Sequence, residues 1–178
     1  MFNAYFEDKE QGGLFHAASE DWSQIIDTDK HAEEQFSGAR SHVIGGMLTY
    51  DPDVIKEAEK EVVEVLNRFE DKEQGGFFTA ADKDWNIINR EKNLLLTGEV
   101  FGVLMHLYEI TYNDQHLLKA IDFLDVALDK AWDTENGGFF GRYDENWGRL
   151  CDTKDLATQA SMLQHMNGSW KDGMDSPY

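Results

Sequence analysis

The eleven residues GGFFTAADKDW, at positions 75–85, occur in three related versions along this chain. The chain reads GGLFHAASEDW at positions 12–22 and GGFFGRYDENW at positions 137–147, offsets of 63 and 62 residues. Two glycines, an apolar pair and a tryptophan therefore return at a nearly constant period. A period above about 50 residues is too long for a single-helix solenoid unit, and it indicates that each repeat holds a helix hairpin.

Two kinds of helix are predicted between these glycine-rich stretches. Asp51 and Pro52 predict a helix start, as a side-chain cap and a first helical residue. Over positions 52–69, apolar residues recur at helical spacing with charge on the opposite face, and positions 114–131 show the same pattern. Positions 93–111 are apolar on most faces, which predicts a helix buried on more than one side. The sequence thus predicts outer, half-exposed helices that alternate with inner, buried ones.

The glycine-rich stretches connect an outer helix to the next inner helix. DKEQGG (71–76) and DTENGG (133–138) are turn sequences, in which aspartate starts the turn and glycine supplies the positive φ. The residues that follow predict a short strand (FFTA), a tight turn (DKDW) and a return strand (NII). We therefore predict a small β-hairpin in each repeat, with equivalent turns at 75–76 and 137–138 and at least one glycine of each pair at positive φ.

These elements predict an all-α fold, either an α/α solenoid or a closed α/α toroid, with small β-hairpins at one end. The chain has 178 residues, two prolines and no Gly/Ser-rich linker, which favours a single domain. Its repeats are predicted at about residues 1–50, 51–112 and 113–178.

The formal net charge of −19 limits the classes of partner. Long-range repulsion disfavours nucleic acid and anionic membranes, so neither is expected as a partner. The single cysteine, Cys151, excludes an internal disulfide and is typical of a reducing compartment. The first ten residues lack the basic and apolar regions of a signal peptide, and residues 94–108 are too short and too polar to span a bilayer. A cytoplasmic location is therefore expected.

Residues 132–166, WDTENGGFFGRYDENWGRLCDTKDLATQASMLQHM, resemble the N-acylglucosamine 2-epimerase superfamily, which includes cellobiose 2-epimerases and aldose–ketose isomerases. The family repeat has a D-x-x-x-G-G-F-aromatic hairpin, a D-x-K element and then an inner helix. DTENGGFF (133–140) and DTK (152–154) fit this pattern. The resemblance implies an (α/α)6 barrel, a small-molecule carbohydrate in a central cleft at the hairpin end of the inner helices, and epimerase or isomerase chemistry.

Under this resemblance the chain holds three of six helix hairpins, half of the ring. The first repeat lacks most of its outer helix, and the last inner helix, which runs into NGSWKDGMDSPY, is followed by no outer helix that would cover it. An isolated half-ring would expose a large apolar edge, which monomeric proteins rarely tolerate. The domain is therefore expected to be incomplete, and either the remainder of a longer chain or a second copy in a homodimer would complete the ring.

The family pattern is not fully present. The inner helix of the family bears an arginine at positions that here hold Ser37, Glu99 and Ser161, each seven residues after a lysine. Arg40 lies three residues beyond the first of these positions. The family's catalytic histidines lie in later repeats, and the histidines of this chain match no catalytic motif.

Glu99 and His106 are the candidate catalytic residues. A buried carboxylate is costly unless it is paired, so Glu99 is expected either to face the cleft, where it could transfer a proton, or to pair with Arg40. His106 lies on the same predicted helix, about 10 Å further along its axis, which is too far for a direct proton relay. A lone histidine at such a position is also typical of a satisfied core residue.

The candidate substrate-binding residues are charged, amide and aromatic side chains near the predicted cleft: Arg40, Trp85, Trp147, Lys92, Lys154 and Gln159. The tryptophans could stack on a sugar face, or cap the core beneath their β-hairpins. The lysines could meet substrate, or pair with an acidic residue of the hairpin. Both alternatives stay open at the level of sequence.

Three functions are compatible with the sequence. The first is a sugar 2-epimerase or aldose–ketose isomerase, as the resemblance implies. The others are a non-catalytic sugar-binding or protein-interaction module on the same scaffold, and part of a different α/α-toroid enzyme such as a glycoside hydrolase. The sequence shows no Cys/His metal spacing and no phosphate-binding glycine loop, so neither a metal nor a cofactor is expected.

Overall fold

A computed structural model describes residues 3–169 of the chain, with side chains for residues 5–163. The terminal stretch predicted to lack an outer helix lies outside the described residues from position 170 onward. In chain order the elements are α1 (Asn3–Phe6), β1 (Ala17–Ala18), β2 (Ile25–Asp27), β3 (Lys30–His31), α2 (Ala32–Thr49), α3 (Pro52–Phe69), β4 (Ala80–Ala81), β5 (Ile87–Asn89), β6 (Lys92–Asn93), α4 (Leu94–Thr111), α5 (Asp114–Ala131), β7 (Arg142–Tyr143) and α6 (Leu156–Ser169).

The helices form two layers. In the inner layer, α4 packs against α2 on one side and against α6 on the other. In the outer layer, α3 packs on α2 and α4, and α5 packs on α4. Each inner helix with a described successor is thus followed by an outer helix that covers it. The predicted all-α architecture of alternating inner and outer helices is confirmed.

The predicted helix starts are confirmed by side-chain caps. The Asp51 carboxylate accepts a hydrogen bond of 2.9 Å from the Asp53 amide, and Pro52 is the first residue of α3. Asn113 caps α5 in the same way, and that helix has the predicted bounds of 114–131. Local capping chemistry therefore determines where the outer helices begin.

Each β-hairpin follows a pair of glycines with left-handed backbone. φ is +75° and +78° at Gly75 and Gly76, and +71° and +80° at Gly137 and Gly138. The predicted equivalence of the two turns is confirmed, and both glycines of each pair have positive φ. Side chains resist this region of backbone conformation, which explains why the pair recurs.

A tryptophan at each tight turn shares this left-handed backbone, which the sequence did not indicate. φ is +61° at Trp22, +67° at Trp85 and +63° at Trp147. A bulky residue at positive φ is strained and persists only where its surroundings hold it. The recurring tryptophans must therefore be fixed by strong contacts, which are described below.

The β-strands join neighbouring repeats. β1 pairs with β2, and β4 pairs with β5, as the predicted hairpins. β3, which leads into α2, also pairs with β4, and β6, which leads into α4, pairs with β7. β4 is shorter than the predicted FFTA strand, because Phe77 instead bridges Glu70 just after α3. The second and third hairpins thus each bind the strand that precedes the inner helix of the repeat before them.

The inner helix α4 is the centre of the core. It extends beyond the apolar stretch at 94–108, and by length and composition it is the one described helix that could cross a membrane. Eleven of its 18 residues are buried, and it is packed against α2, α5 and α6. This burial is the pattern of a core helix.

Candidate functional site

The part-exposed residues in the first four turns of α4 include Leu95, Glu99 and His106. Their spacing of four and seven residues places them along one side of the helix. The other sides of α4 pack against α2, α6 and the outer helices. The remaining face points away from the outer helices, to the side of the inner layer that is called the concave side below and that is predicted to line the central cleft.

Glu99 pairs with Arg40 across two neighbouring inner helices. Nη1 of Arg40, on α2, donates a hydrogen bond of 2.8 Å to Oε2 of Glu99, on α4. The two side chains are 35% and 33% exposed, so solvent and small ligands can reach the pair. Of the two predicted placements of Glu99, the structure shows pairing with Arg40. Because a guanidinium carries several N–H donors, the pair presents both a carboxylate and hydrogen-bond donors to the concave side.

His106 lies two helical turns beyond Glu99 on the same face, about 10 Å along the axis. Its Nδ1 is shielded from solvent and has no hydrogen-bond partner among the residues that the structure describes. A shielded polar atom without a partner is costly. A ligand group or water that reached this nitrogen would supply a hydrogen bond that the described protein does not.

Lys92 is buried in an ion pair with the β-hairpin turn of its own repeat. Its Nζ donates to Oδ2 of Asp71 at 2.5 Å and to the Gly75 carbonyl at 2.6 Å, and its side chain is 1% exposed. Lys154 is 24% exposed in the corresponding pair. The same three-way contact joins Lys30, Asp8 and Gly12, and joins Lys154, Asp133 and Gly137. These lysines connect the hairpin turn to the start of the inner helix, instead of facing the cleft.

The aspartates of these pairs are held in the charged form. Burial acts to raise the pKa of Asp71, but hydrogen bonds from Lys92 and from the Gln74 and Glu73 amides outweigh it and lower that pKa. The Lys154 hydrogen bond is the largest cause of the lowered pKa of Asp133. The Asp71 and Asp133 carboxylates therefore stay ionised at neutral pH.

Trp85 and Trp147 each pack on the β-hairpin of the preceding repeat. Nε1 of Trp85 donates a hydrogen bond of 2.9 Å to the Gln11 carbonyl, and the Trp85 ring lies 4.2 Å from Nζ of Lys30. Nε1 of Trp147 donates a bond of 2.9 Å to the Gln74 carbonyl. These contacts hold the strained tryptophans in place, and they make each indole a link between repeats.

Gln159 binds the backbone of its own hairpin through both ends of its amide. Its Oε1 accepts from the Phe139 amide at 2.9 Å, and its Nε2 donates to the Phe139 carbonyl at 2.7 Å. Gln35 makes the same two bonds to Leu14. Gln35 was not among the predicted site residues, although its position five residues after a lysine matches that of Gln159. In the second repeat Thr97 stands at this position.

The structure thus separates the predicted site residues into two groups. Arg40 and Glu99 form a pair on the concave side, and His106 lies on the same face of α4. The other predicted residues hold β-hairpins against helices or against neighbouring hairpins: Trp85, Trp147, Lys92, Lys154 and Gln159.

A groove of about 530 Å³ lies between the outer helices α3 and α5. Its lining includes His116, whose Nε2 lies 2.7 Å from Oε1 of Glu59, and Lys119, which pairs with Glu70 at 2.5 Å. These polar groups are paired with one another across the two helices. The groove is on the opposite side of the inner layer from Arg40 and Glu99.

One cluster of potential metal ligands was not predicted from the sequence. His16, His31 and Glu34 come together where the first β-hairpin meets the start of α2. The signal that could have indicated it is the H-x-x-E spacing at 31–34, which places two ligands on one face of a helix start.

The comparisons with known proteins agree on the fold. The sequence matches no protein-family model, and no curated protein matches it. A cellobiose 2-epimerase from Bacillus thermoamylovorans superposes with a TM-score of 0.83 and 15% identity, over 96% of this chain and 47% of the other. A D-mannose isomerase gives a TM-score of 0.75, with 12% identity over 94% and 47% of the two chains. A glycoside hydrolase family 76 mannosidase from Bacteroides thetaiotaomicron gives 0.76, with 18% identity over 96% and 45%.

These likenesses establish the architecture. The chain is half of an (α/α)6 toroid, and it spans about half the length of the solved structures that it matches. The predicted half-toroid fold is confirmed, as is the predicted resemblance to the N-acylglucosamine 2-epimerase superfamily, at the level of fold.

Proposed function

We propose that this chain is part of a carbohydrate-active enzyme that epimerises a sugar or interconverts an aldose and a ketose. The observation that carries the proposal is the Arg40–Glu99 pair on the open side of the inner layer. The names of the superposed proteins, an epimerase, an isomerase and a mannosidase of sugars, support a small-molecule carbohydrate as the ligand.

Such a reaction begins by removing a proton from the carbon next to a carbonyl. Glu99 is the candidate base that takes this proton, and the electrons of the C–H bond move onto the carbonyl oxygen. Arg40 would stabilise the negative charge that develops on that oxygen. Return of a proton to the opposite face of the same carbon gives the epimer. Return of the proton to the former carbonyl carbon gives the isomer, with the proton of the adjacent hydroxyl passing to the former carbonyl oxygen.

His106 is the candidate group for the far end of the substrate. Its shielded Nδ1 lacks a partner among the described residues, and it lies about 10 Å from Glu99, beyond a direct relay. We propose that it binds a sugar hydroxyl and that the acid which returns the proton comes from outside the described residues.

We further propose that three more repeats complete the ring, supplied by the remainder of a longer chain or by a second copy. The inner helices at the two ends of the arc, α2 and α6, expose apolar side chains, including Leu48 at 78% and Leu163 at 53%. The half-length match to the superposed proteins supports the same proposal. A cytoplasmic location, supported by the single cysteine, is part of the proposal.

The experiment is solvent proton exchange at the reacting carbon. The protein is incubated in D2O with cellobiose or D-mannose, and deuterium at C2 and new sugars are followed by NMR and chromatography. Glu99→Gln should lower the exchange rate about 10²–10⁴-fold, because an amide cannot act as the base. Glu109→Gln, which neutralises an exposed carboxylate further along α4, serves as the matched control and should leave the rate unchanged. Equal rates in wild type and Glu99→Gln would show that Glu99 is structural.

A non-catalytic sugar-binding module is the second candidate. It is favoured by the engagement of Lys92, Lys154 and Gln159 in structural contacts, which leaves few polar side chains for chemistry. Under this alternative the chain binds a sugar, Glu99→Gln weakens that binding, and no deuterium enters the sugar.

A further inference from the structure

We propose that the first repeat contains a divalent-metal site for Zn²⁺, formed by His16, His31 and Glu34. Each side chain offers one ligand atom, and these three atoms lie within 4.8 Å of one another. Nδ1 of His16 is 3.1 Å from Oε1 of Glu34, and the rings of His16 and His31 stack with centroids 4.1 Å apart. Two imidazoles and one carboxylate are a ligand set that zinc takes when its fourth position is left for water or substrate. This inference goes beyond the proposed sugar chemistry and departs from the expectation that the chain holds no metal.

The three ligands are held by rigid parts of the fold. His31 ends β3, where it pairs with Ala80, and it is also the N-cap residue of α2. Glu34 lies one helical turn later, on the same face of the helix. His16 directly precedes β1, which brings it over the start of α2. The backbone therefore fixes two ligands on one helix start and presents the third from the hairpin.

The His31 imidazole is not used to cap the helix. It makes no side-chain cap hydrogen bond, whereas Asn93, at the same position of the second repeat, accepts one from the Leu95 amide. Its ring instead stacks on that of His16 at an angle of 17°. Each imidazole can bind a metal ion through a ring nitrogen, once the two rings turn so that both nitrogens face the same ion.

One carboxylate oxygen of Glu34 has no partner in the described part of the chain, although the side chain as a whole is 40% exposed. Its Oε2 is shielded from solvent and has no hydrogen-bond partner among the described side chains and backbone. A shielded carboxylate oxygen without a partner is costly, and a bound cation would satisfy it. The net charge of −19 adds a long-range field that attracts cations.

The ligand atoms of His16, His31 and Glu34 need to move only a short way to reach the spacing of a zinc site. Zinc–ligand bonds of about 2.0–2.1 Å in a tetrahedral site place ligand atoms about 3.3 Å apart. The closest pair, at 3.1 Å, already meets this spacing. The other separations are at most 4.8 Å, and rotations of the His16, His31 and Glu34 side chains would close them.

The other repeats lack the ligand set and supply matched substitutions. The corresponding positions hold Thr79, Asn93 and Leu96 in the second repeat, and Gly141, Asp155 and Thr158 in the third. Because the second β-hairpin folds in the same way with threonine in place of His16, His16→Thr should remove a ligand without disturbing the fold. Glu34→Gln keeps the shape of the side chain and removes its charge.

The test is equilibrium dialysis of the protein against Zn²⁺ at neutral pH, with the bound metal measured by atomic emission. We expect one tightly bound zinc per chain and an affinity at least 100-fold lower in His16→Thr and in Glu34→Gln. Cobalt substituted for zinc should show the absorption of a tetrahedral site in the wild-type protein and not in the variants.

The control is His42→Gln, because His42 also contacts a glutamate, Glu61, but belongs to no metal-ligand cluster among the described residues. This variant should bind zinc as the wild type does. Absence of a tight site in the wild type overturns the proposal. Equal affinity in wild type and His16→Thr also overturns it, as does an equal loss in His42→Gln, which would indicate loose binding to the acidic surface. Far-UV circular dichroism checks that each variant is folded. If Glu34→Gln is unfolded, the zinc affinity of His16→Thr, a change in the exposed hairpin, decides the test.

Discussion

Lys92→Met tests whether a buried ion pair holds each β-hairpin on its inner helix. Methionine keeps much of the apolar stem of lysine and removes the ammonium. Asp71 would keep its hydrogen bonds from the Glu73 and Gln74 amides, but its Oδ2 and the Gly75 carbonyl would lose their partner. The side chains of Lys92 and Asp71 are 1% and 8% exposed, so water cannot easily replace the ammonium.

The expected cost follows from this burial. Removing one partner of a buried ion pair destabilises a protein by about 3–5 kcal/mol, because the other charge stays buried. The two amide hydrogen bonds that Asp71 keeps place the expected loss in the lower half of this range. Lys154→Met makes the same change where the lysine is 24% exposed, and its cost should be clearly smaller because water can reach Asp133.

Urea unfolding followed by far-UV circular dichroism measures the difference. With a slope of about 2–3 kcal/mol per molar urea, Lys92→Met should lower the midpoint by roughly 1–2 M, and Lys154→Met by less. The double variant Lys92→Met with Asp71→Asn should recover part of the loss, because no unpaired charge remains. A midpoint shift for Lys92→Met that is equal to or smaller than the shift for Lys154→Met would refute the reasoning.

Two further predictions concern backbone conformation and pH. Gly138 has φ of +80° and an added Cβ would lie 2.8 Å from Oε1 of Gln159, so Gly138→Ala should destabilise by more than about 1 kcal/mol. Gly45 lies inside α2 with open space around it, and Gly45→Ala should stabilise the protein by about 0.5–1 kcal/mol. If urea unfolding shows that Gly138→Ala and Gly45→Ala change the free energy of unfolding in the same direction, the prediction is wrong. Burial raises the pKa of Tyr143 to about 12. The stability that this side chain contributes should therefore be complete below pH about 10 and be lost as the pH rises from there towards the raised pKa of about 12. Thermal melts of Tyr143→Phe should lack this alkaline loss.

The helices could be predicted from the sequence because their signals are local. Asp51 and Asn113 cap helices through amides two residues away, and the apolar periodicity distinguishes inner from outer helices. The Arg40–Glu99 pair was one of two predicted placements, because a carboxylate among apolar residues requires either a cation or a cleft.

For the lysines, pairing with an acidic hairpin residue was one of two predicted placements, but the distant partners of the β-hairpin residues could not be predicted in the same way. Trp85 binds a carbonyl 74 residues earlier in the chain, and Lys92 meets an aspartate 21 residues earlier. A lysine before a helix and a tryptophan in a turn are compatible with a structural role and with ligand binding until the fold shows what lies beside them. The cluster of His16, His31 and Glu34 was missed for the same reason, since it exists only once the first hairpin folds over α2.

The pairing of each later β-hairpin with the strand before it has a consequence for how the chain unfolds. Such contacts couple nearest neighbours only, so cooperativity is passed along the arc from one repeat to the next, as in a one-dimensional chain of interacting units. The second repeat takes part in both junctions, through β4 on one side and β6 on the other. Fraying at either end leaves one junction intact, whereas opening of the second repeat breaks both. Amide hydrogens of α4 should therefore exchange most slowly, and the free energy of their exchange reports the global stability of the arc.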